Sequence, residues 1–143
     1  MKSYMAHKQL LIDSNIWIGA FLSTDTNHGR ARALLKHATS HGYELVSHKL
    51  IVLEVLTVLK IRKHPEFRRI AQSFFDIQLT MLDETPLAFS DAFMTFFLSL
   101  PHLSVVDAFL LHLAKQQGYH LATFDKDLAK ASKKYGVRTL QLA

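Results

Sequence analysis

The chain has 143 residues, no cysteine and a formal net charge of +5, from 17 Lys and Arg against 12 Asp and Glu. Its length suits one domain with its own core, so we expect residues 1–143 to form a single domain, and the lack of cysteine excludes disulfide scaffolds, thiolate zinc sites and cysteine nucleophiles. The positive charge favours a polyanionic partner such as nucleic acid.

The first half of the chain alternates between short apolar runs and helical patterns. The run at 9–12 ends directly before Asp13, which predicts a buried strand followed by a turn into a helix over 14–22. The pattern then predicts a helix over 25–41 that Gly42 ends, a strand over 43–46, a helix from the cap residue Ser47 to residue 63, and a helix over 66–75 after the break at Pro65.

The second half continues this alternation. A strand is predicted over 77–82, followed by two apolar helices over 87–100 and 103–117, which Pro101 separates. A strand over 119–124, a helix over 126–135 and a strand over 137–141 complete the chain. Strands that alternate with helices require crossover connections, which make the sheet parallel and cover both its faces. We therefore predict a three-layer α/β domain with helices on both faces of a mostly parallel sheet of about five strands.

The apolar runs also bear on location. None reaches the roughly 18 to 20 residues that a membrane-spanning helix needs, and residues 1–8 lack the apolar stretch of a secretory signal. We therefore expect a cytoplasmic protein that does not enter a membrane.

Two carboxylates lie on predicted helices without a cation one helical turn away. The residues three and four positions from Glu54 are Leu50, Ile51, Thr57 and Val58, and those around Asp107 are Leu103, Ser104, Leu110 and Leu111. Burying an ionised carboxylate without compensation is costly, so each of these two needs a partner from elsewhere in the fold.

Two further carboxylates, Asp13 and Asp125, follow predicted strands directly. Either could be a simple helix cap. If the two strands are neighbours, however, both carboxylates lie at the strand ends, where open α/β sheets place their binding crevices.

A cluster of four carboxylates repels itself unless protons or cations intervene, and hard divalent ions favour oxygen ligands. Mg²⁺ or Mn²⁺ would satisfy such a cluster. An ion of this kind can activate a water and neutralise charge on a scissile phosphate, so the pattern points to phosphodiester hydrolysis.

The chain resembles the PIN-domain nucleases, which include the VapC toxins of bacterial and archaeal toxin–antitoxin pairs. The resemblance runs over nearly the whole chain and lies in the order and spacing of the segments LLIDSNIWI, VLEVLTVL and SVVDAFLLHLAKQQGYHLATFDKDL. It implies a metal-dependent endoribonuclease that uses Mg²⁺ or Mn²⁺, leaves a 5′ phosphate on its RNA product, and has a protein antitoxin as a possible partner.

By position in these segments, the resemblance makes four residues metal ligands or ligand supports, namely Asp13, Glu54, Asp107 and Asp125. In the motif FDKDL, Asp127 is an alternative to Asp125 as a metal ligand. We favour Asp125 as the fourth acid because it is closer to the strand end.

Two polar residues beside these acids are candidates for orienting the metal or the water. Asn15 follows the first acid, where PIN domains often have a small polar residue, and Thr123 precedes the fourth, where a hydroxyl is common. Asn15 also argues against a haloacid-dehalogenase-type phosphatase, which needs a second Asp at that position. The alternative that stays open is a PIN-like module that binds RNA or a partner without catalysis.

Two surfaces are candidates for contacts with partners. Lysines at helical spacing form one face beside the fourth acid and could bind the RNA backbone, although such faces are often merely solvated; they are Lys126, Lys130, Lys133 and Lys134. The helix over 87–100 is apolar nearly all round, so we expect a second copy, in a homodimer, or an antitoxin to cover part of it.

Overall fold

The computed structural model describes residues 8–62, 65–76, 80–82, 90–100 and 102–142. Their secondary-structure elements, in chain order, are β1 (Gln9–Ile12), α1 (Ser14–Phe21), α2 (His28–Ser40), β2 (Glu44–His48), α3 (Lys49–Ile61), α4 (Phe67–Asp76), β3 (Thr80–Leu82), α5 (Asp91–Leu98), α6 (Val105–Gln117), β4 (His120–Ala122) and α7 (Lys126–Lys134). None of the helices in this part of the chain has the length and apolar character to cross a membrane.

The strands form a parallel sheet in the order β3-β2-β1-β4. The predicted α/β class is therefore confirmed. The last predicted strand, over 137–141, is only an isolated bridge between Thr139 and Leu121. β4 is three residues long and offers this segment few partners: the Leu121 amide donates to the Arg138 carbonyl, and the Leu140 amide donates to the Leu121 carbonyl.

The strand order reverses at β1. The chain moves from β1 to β2 to β3 in one direction and then returns past β1 to β4. Because crossover connections are right-handed, the helices before β3 cover one face of the sheet, and α5 and α6 cover the other. The reversal also opens a crevice between β1 and β4, at the ends of these strands, where α/β sheets place their binding sites.

The core lies on both faces of the sheet. Leu10, Leu11 and Ile12 are consecutive in β1 and are all completely buried, as expected for a strand with helices on both sides. On α6, every residue from Ala108 to Ala114 is buried. This burial leaves α6 only its first turn, which carries Asp107, and its last turn for contact with solvent.

The boundary between β2 and α3 differs from the prediction. Ser47 lies inside β2 and does not cap α3; His48 is the cap, and its Nδ1 accepts a hydrogen bond from the Leu50 amide at 3.1 Å. The strand is longer than predicted because Ser47 and His48 pair with β3, in register with Met81 and Leu82. A long-range strand pairing therefore overrides the local preference of serine for a helix cap.

Candidate active site

The site begins where β1 and β4 end side by side. β1 and β4 pair in parallel, and the Asp13 amide continues their ladder by donating to the Ala122 carbonyl at 2.9 Å. Asp13 is thus next to the end of β4. That strand ends at Ala122, three residues before Asp125. The two strands are neighbours, as the sequence argument required.

A cavity of about 550 Å³ opens at this edge, and we call it the acidic cavity. Four carboxylates from different parts of the fold line it: Asp13 after β1, Glu54 on α3, Asp107 on α6 and Asp125 before α7. α3 starts at the end of β2, and α6 leads into the start of β4, so both helices have their N-terminal parts at the same edge of the sheet. The other lining residues are Ser14, Asn15, Ile18, Leu50, Ser104 and Val106.

Asp13 is the most fixed of the four acids. Its side chain is 4% exposed, and its Oδ1 accepts a hydrogen bond from the Ser14 amide at 2.7 Å, which makes it the N-cap of α1. Its Oδ2 accepts bonds from the Thr123 hydroxyl at 2.6 Å and the Asn15 amide group at 3.2 Å. Asp13 therefore caps a helix and also presents a positioned carboxylate to the cavity.

Thr123 and Asn15 connect Asp13 to the segment that carries Asp125. The Thr123 hydroxyl accepts a hydrogen bond from the Asp125 amide at 3.0 Å while it donates to Asp13. Asn15 Oδ1 accepts a bond from the Phe124 amide at 3.2 Å. These contacts hold the chain after β4 against the chain after β1.

Asp125 and Asp127 have different environments. Asp125 is half-buried, lines the acidic cavity and caps α7, because its Oδ1 accepts a hydrogen bond from the Leu128 amide at 2.9 Å. Asp127 is exposed in the first turn of α7 and is not among the residues that line the cavity. The fold thus brings Asp125, and not Asp127, to the other three acids.

Glu54 and Asp107 reach the cavity from two helices. Glu54 is exposed, whereas Asp107 is half-buried in the first turn of α6. Ser104 caps this helix, since its hydroxyl accepts a hydrogen bond from the Asp107 amide at 3.1 Å. Asp107 is therefore held at a helix N-terminus, where the helix dipole favours negative charge.

The electrostatics of the cavity show strain between like charges. The pKa of Asp107 is raised to about 6, mostly by burial and in addition by the charges of Asp13, Asp125 and Glu54. Burial likewise raises the pKa of Asp13, with smaller contributions from Glu54 and Asp125, against the lowering effect of its hydrogen bonds. In the described part of the chain, the ion pairs within 4.0 Å are Arg62–Asp25 and Arg69–Glu66, and neither involves these four acids.

The comparison with protein families agrees with this geometry. The model of the PIN domain family matches residues 10–134, which is most of the chain. The chain belongs to the PIN domain family. The family predicted from the sequence segments is thereby confirmed. In this PIN domain, the four acids meet at the acidic cavity.

Solved structures share the fold at low sequence identity. VapC20 of Mycobacterium tuberculosis, a sarcin–ricin loop cleaving toxin, is 20% identical with a TM-score of 0.67, over 85% of this chain and 94% of that one. PAE2754 of Pyrobaculum aerophilum is 19% identical with a TM-score of 0.65, over 96% and 92%. FitAcB of Neisseria gonorrhoeae is 16% identical with a TM-score of 0.62, over 92% and 96%. No curated protein sequence matches the chain significantly.

The donor set of this PIN domain suits a hard divalent cation. Four carboxylates supply only oxygen, and the repulsion that raises the pKa of Asp107 is relieved when a cation binds. Among the described residues, no three or more histidine, aspartate or glutamate side chains are arranged as they stand to hold a metal ion.

Three of the four predicted lysines line cavities next to α7. Lys126 lines a second cavity beside the acidic one, whereas Lys130 and Lys133 line a third cavity further along α7. Lys134 has its Nζ 5.7 Å from the centre of the Tyr135 ring and lines neither of them. The contact of these lysines with RNA stays a prediction.

The sequence reasoning missed two serines that line the cavity, Ser14 and Ser104. Ser104 had a readable signal, because a serine three residues before an acid at the start of an apolar helix is a capping pattern. Ser14 had none beyond its position after Asp13.

Proposed function

We propose that this PIN domain, taken as residues 1–143, is an endoribonuclease that depends on Mg²⁺ or Mn²⁺ and hydrolyses RNA phosphodiester bonds. One observation carries the proposal: four carboxylates from four elements line one cavity, and no described cation pairs with them. A site of this kind attracts a divalent ion from solution. A phosphodiester is a substrate that such an ion can both bind and polarise.

In this proposal the metal-binding residues are Asp13, Glu54, Asp107 and Asp125. Asp127 takes no part, because its side chain lies outside the cavity. When bound, the ion would offset charge on the scissile phosphate and lower the pKa of the attacking water. Thr123 and Asn15 act through Asp13: their hydrogen bonds fix its Oδ2, and the bond from Thr123 opposes the rise in the pKa of Asp13 that burial causes.

RNA is the proposed substrate for two reasons. The formal charge of +5 favours a polyanion; Lys126 lines the cavity next to the acidic one, and Lys130 and Lys133 line the cavity after that. The fold is also that of VapC20, a toxin that cleaves the sarcin–ricin loop. This likeness supports a toxin of a toxin–antitoxin pair that acts on cytoplasmic RNA, with a protein antitoxin as its natural inhibitor.

The test is cleavage of RNA by the purified protein, freed of any bound partner. We expect cleavage with Mg²⁺ or Mn²⁺, none with EDTA, and products that carry a 5′ phosphate. Asp13→Asn and Asp107→Asn should each abolish cleavage without a loss of folding, because asparagine keeps the shape of the side chain and its capping ability but removes the charge.

Two results would contradict the proposal. Full activity in both variants would reject the site, and metal-independent RNA binding without cleavage would favour the non-catalytic module. Thermal unfolding of each variant gives the control, since a variant that is misfolded says nothing about catalysis.

We also propose that the protein forms a homodimer through α5. Met94 and Leu98 lie one helical turn apart on this helix and are 42% and 76% exposed. Apolar side chains in such a row are typical of a surface that another protein covers. Sedimentation should give a dimer for the natural chain and a monomer for Leu98→Glu; a natural chain that is already monomeric would reject the dimer.

A further inference from the structure

A second cavity, of about 600 Å³, adjoins the acidic cavity. The two share Asp125, and Thr123 of the second cavity donates a hydrogen bond to Asp13 of the first, so a ligand in one lies beside a ligand in the other. We call this second space the stacking cavity because of the pair of planar groups at its wall, Arg30 and Phe124. No acid other than Asp125 lines it.

Arg30 and Phe124 come from distant parts of the chain, and the Arg30 guanidinium lies over the Phe124 ring. The Arg30 guanidinium carbon is 4.5 Å from the centre of the Phe124 ring. Arg30 is held by its hydrogen bond to Asn27 Oδ1 at 3.0 Å, and Phe124 is held through its amide by Asn15 at 3.2 Å. We call Arg30 and Phe124 together the stacking platform. Through Asn15 it is connected to the hydrogen-bond network that positions Asp13.

The remaining walls favour a flat group attached to an anion. Leu140, Leu142 and Ala33 supply apolar surface, and Leu142 is 38% exposed. Lys126 supplies a positive charge on the side next to Asp125. A nucleobase has two flat faces that stack on aromatic rings and guanidinium planes, and it carries its phosphate at one edge. The volume is ample for one nucleotide within the usual range of ligand sites.

We propose that the stacking cavity is a nucleobase subsite, which binds the base of a nucleotide flanking the scissile phosphate by stacking on the Arg30–Phe124 platform. This inference rests on the proposed RNA substrate of the acidic cavity and adds to it the group that would select where the strand is cut. Lys126 contacts the phosphate of the same nucleotide.

The path of the strand continues beyond this subsite. A third cavity, of about 820 Å³, shares Ala129 and Gln141 with the stacking cavity. Four basic side chains line this basic cavity: Lys8, Lys130, Lys133 and Arg138. Each cavity thus adjoins the next, and their order of acids, stacking platform and basic groups matches a scissile phosphate, a bound base and a following backbone.

The experiment measures RNA binding apart from cleavage. A short oligoribonucleotide is bound to the Asp107→Asn protein in fluorescence anisotropy, and the same strand is then scanned with one abasic nucleotide at each position in turn. We expect Arg30→Ala and Phe124→Leu each to weaken binding of the intact strand roughly ten-fold. One abasic strand lacks the base that enters the stacking cavity. That strand should bind equally to the Asp107→Asn protein and to the same protein with Arg30→Ala or Phe124→Leu added.

Matched variants separate stacking from charge and from folding. Lys115 Nζ lies 5.4 Å from the Tyr135 ring centre, so Lys115→Ala removes a cation over a ring away from the stacking cavity and should leave binding unchanged. Phe124→Tyr keeps the flat ring and should keep affinity, which shows that a loss in Phe124→Leu is not general misfolding.

The outcomes distinguish this inference from the proposed function. Active cleavage with natural affinity in Arg30→Ala and Phe124→Leu would reject the subsite and leave the nuclease function intact. If Arg30→Ala and Phe124→Leu lose affinity equally for the intact strand and for every abasic strand, the subsite is also rejected. It is rejected too if these variants bind RNA normally but no longer bind a protein partner. Base-dependent binding in a natural chain that never cleaves would keep the subsite and reject the nuclease function.

Discussion

The acidic cavity and the basic cavity are opposite in charge, and in each of them side chains of one sign come together from several parts of the chain. Among the described residues, the acidic cavity is lined by four carboxylates and no lysine or arginine. The basic cavity is lined by three lysines and one arginine, from the residue before β1, from α7 and from the last segment, and by no acid of the described chain. Burial acts on both. It raises the pKa of Asp107 in the first, and together with Arg138 and Lys8 it lowers the pKa of His120 in the second.

Within the described part of the chain, each of these two cavities lacks side chains that would balance its charge. A protein that needed only stability would pair these acids with these bases across a short distance, yet the fold keeps them apart with the stacking cavity between them. Under the proposed function, a divalent cation would balance the charge of the acids, and RNA phosphates would balance that of the basic side chains.

The first prediction concerns the two aspartates of FDKDL. Asp125→Asn should lower RNA cleavage at least about 100-fold, since changes to groups that only support a metal ligand already cost 10- to 100-fold. Asparagine keeps the cap of α7, so folding should be preserved. Asp127→Asn is the matched control and should stay close to natural activity. Initial cleavage rates of both variants decide, and the reverse ranking would exchange their roles.

The second prediction concerns Thr123, a positioning residue that acts through Asp13. Thr123→Val removes the 2.6 Å hydrogen bond to Asp13 and the bond from the Asp125 amide, so Mg²⁺ affinity should fall about 10- to 100-fold. Thr123→Ser keeps the hydroxyl and should restore affinity. Calorimetric titration with Mg²⁺ measures this without RNA; a variant that loses cleavage with unchanged metal affinity would contradict the role.

The third prediction is a pH dependence set by Asp107. With a pKa of about 6, this carboxyl is mostly protonated at pH 5 and mostly charged at pH 7, so Mg²⁺ should bind about ten-fold more weakly at pH 5. In Asp107→Asn this part of the dependence should disappear. Titrations with Mg²⁺ at the two pH values, for both proteins, measure it.

The same pKa predicts the stability of the metal-free protein. Asp107 has a higher pKa in the folded state than the usual 3.8, so its contribution to stability is full below that value and is lost as the pH rises through about 6. The melting temperatures of the natural chain and of Asp107→Asn are compared in EDTA at pH 4 and at pH 7. The melting temperature of the natural chain minus that of the variant should be lower at pH 7 than at pH 4. A difference of opposite sign would mean that Asp107 has a cation partner in the fold.

The fourth and smallest effect concerns the basic cavity. Lys130→Gln and Lys133→Gln should each weaken RNA binding a few-fold and reduce the slope of log affinity against log salt by about 0.7, the value for one phosphate contact on a single strand. Lys60→Gln, an exposed lysine on α3, is the control for net charge. Anisotropy titrations over a range of salt concentrations measure the slopes; equal slopes in all three variants would show that the basic cavity does not contact RNA.

The acids illustrate how far sequence reasoning reaches. The apolar runs before Asp13 and Asp125 predict that both follow strands directly. Asp13 does follow β1 directly, whereas Thr123 and Phe124 lie between the end of β4 and Asp125. Glu54 and Asp107 were singled out because no cation lies one turn away on their helices, and the described ion pairs do not include them. These inferences worked because they depend on residues within four positions of the acid.

Other features could not be predicted because they depend on residues far apart in the chain. The pairing of β1 with β4 makes Asp13 and Thr123 neighbours, and only the fold brings Arg30 on α2 to Phe124. The pairing of β2 with β3 moves the helix cap from Ser47 to His48. No local pattern encodes which strands pair or which loops meet.

By itself the sequence determined the α/β class and made Glu54 and Asp107 candidates, because apolar periodicity and charge spacing are local properties that each element carries with it. The resemblance of its segments to the PIN family pointed to the family. Only the tertiary structure decided that Asp125 rather than Asp127 lies on the acidic cavity and that the lysines of α7 divide between two other cavities. The physical reason is that a helix fixes the angle between its side chains, whereas packing against the sheet and its loops fixes what each side chain faces.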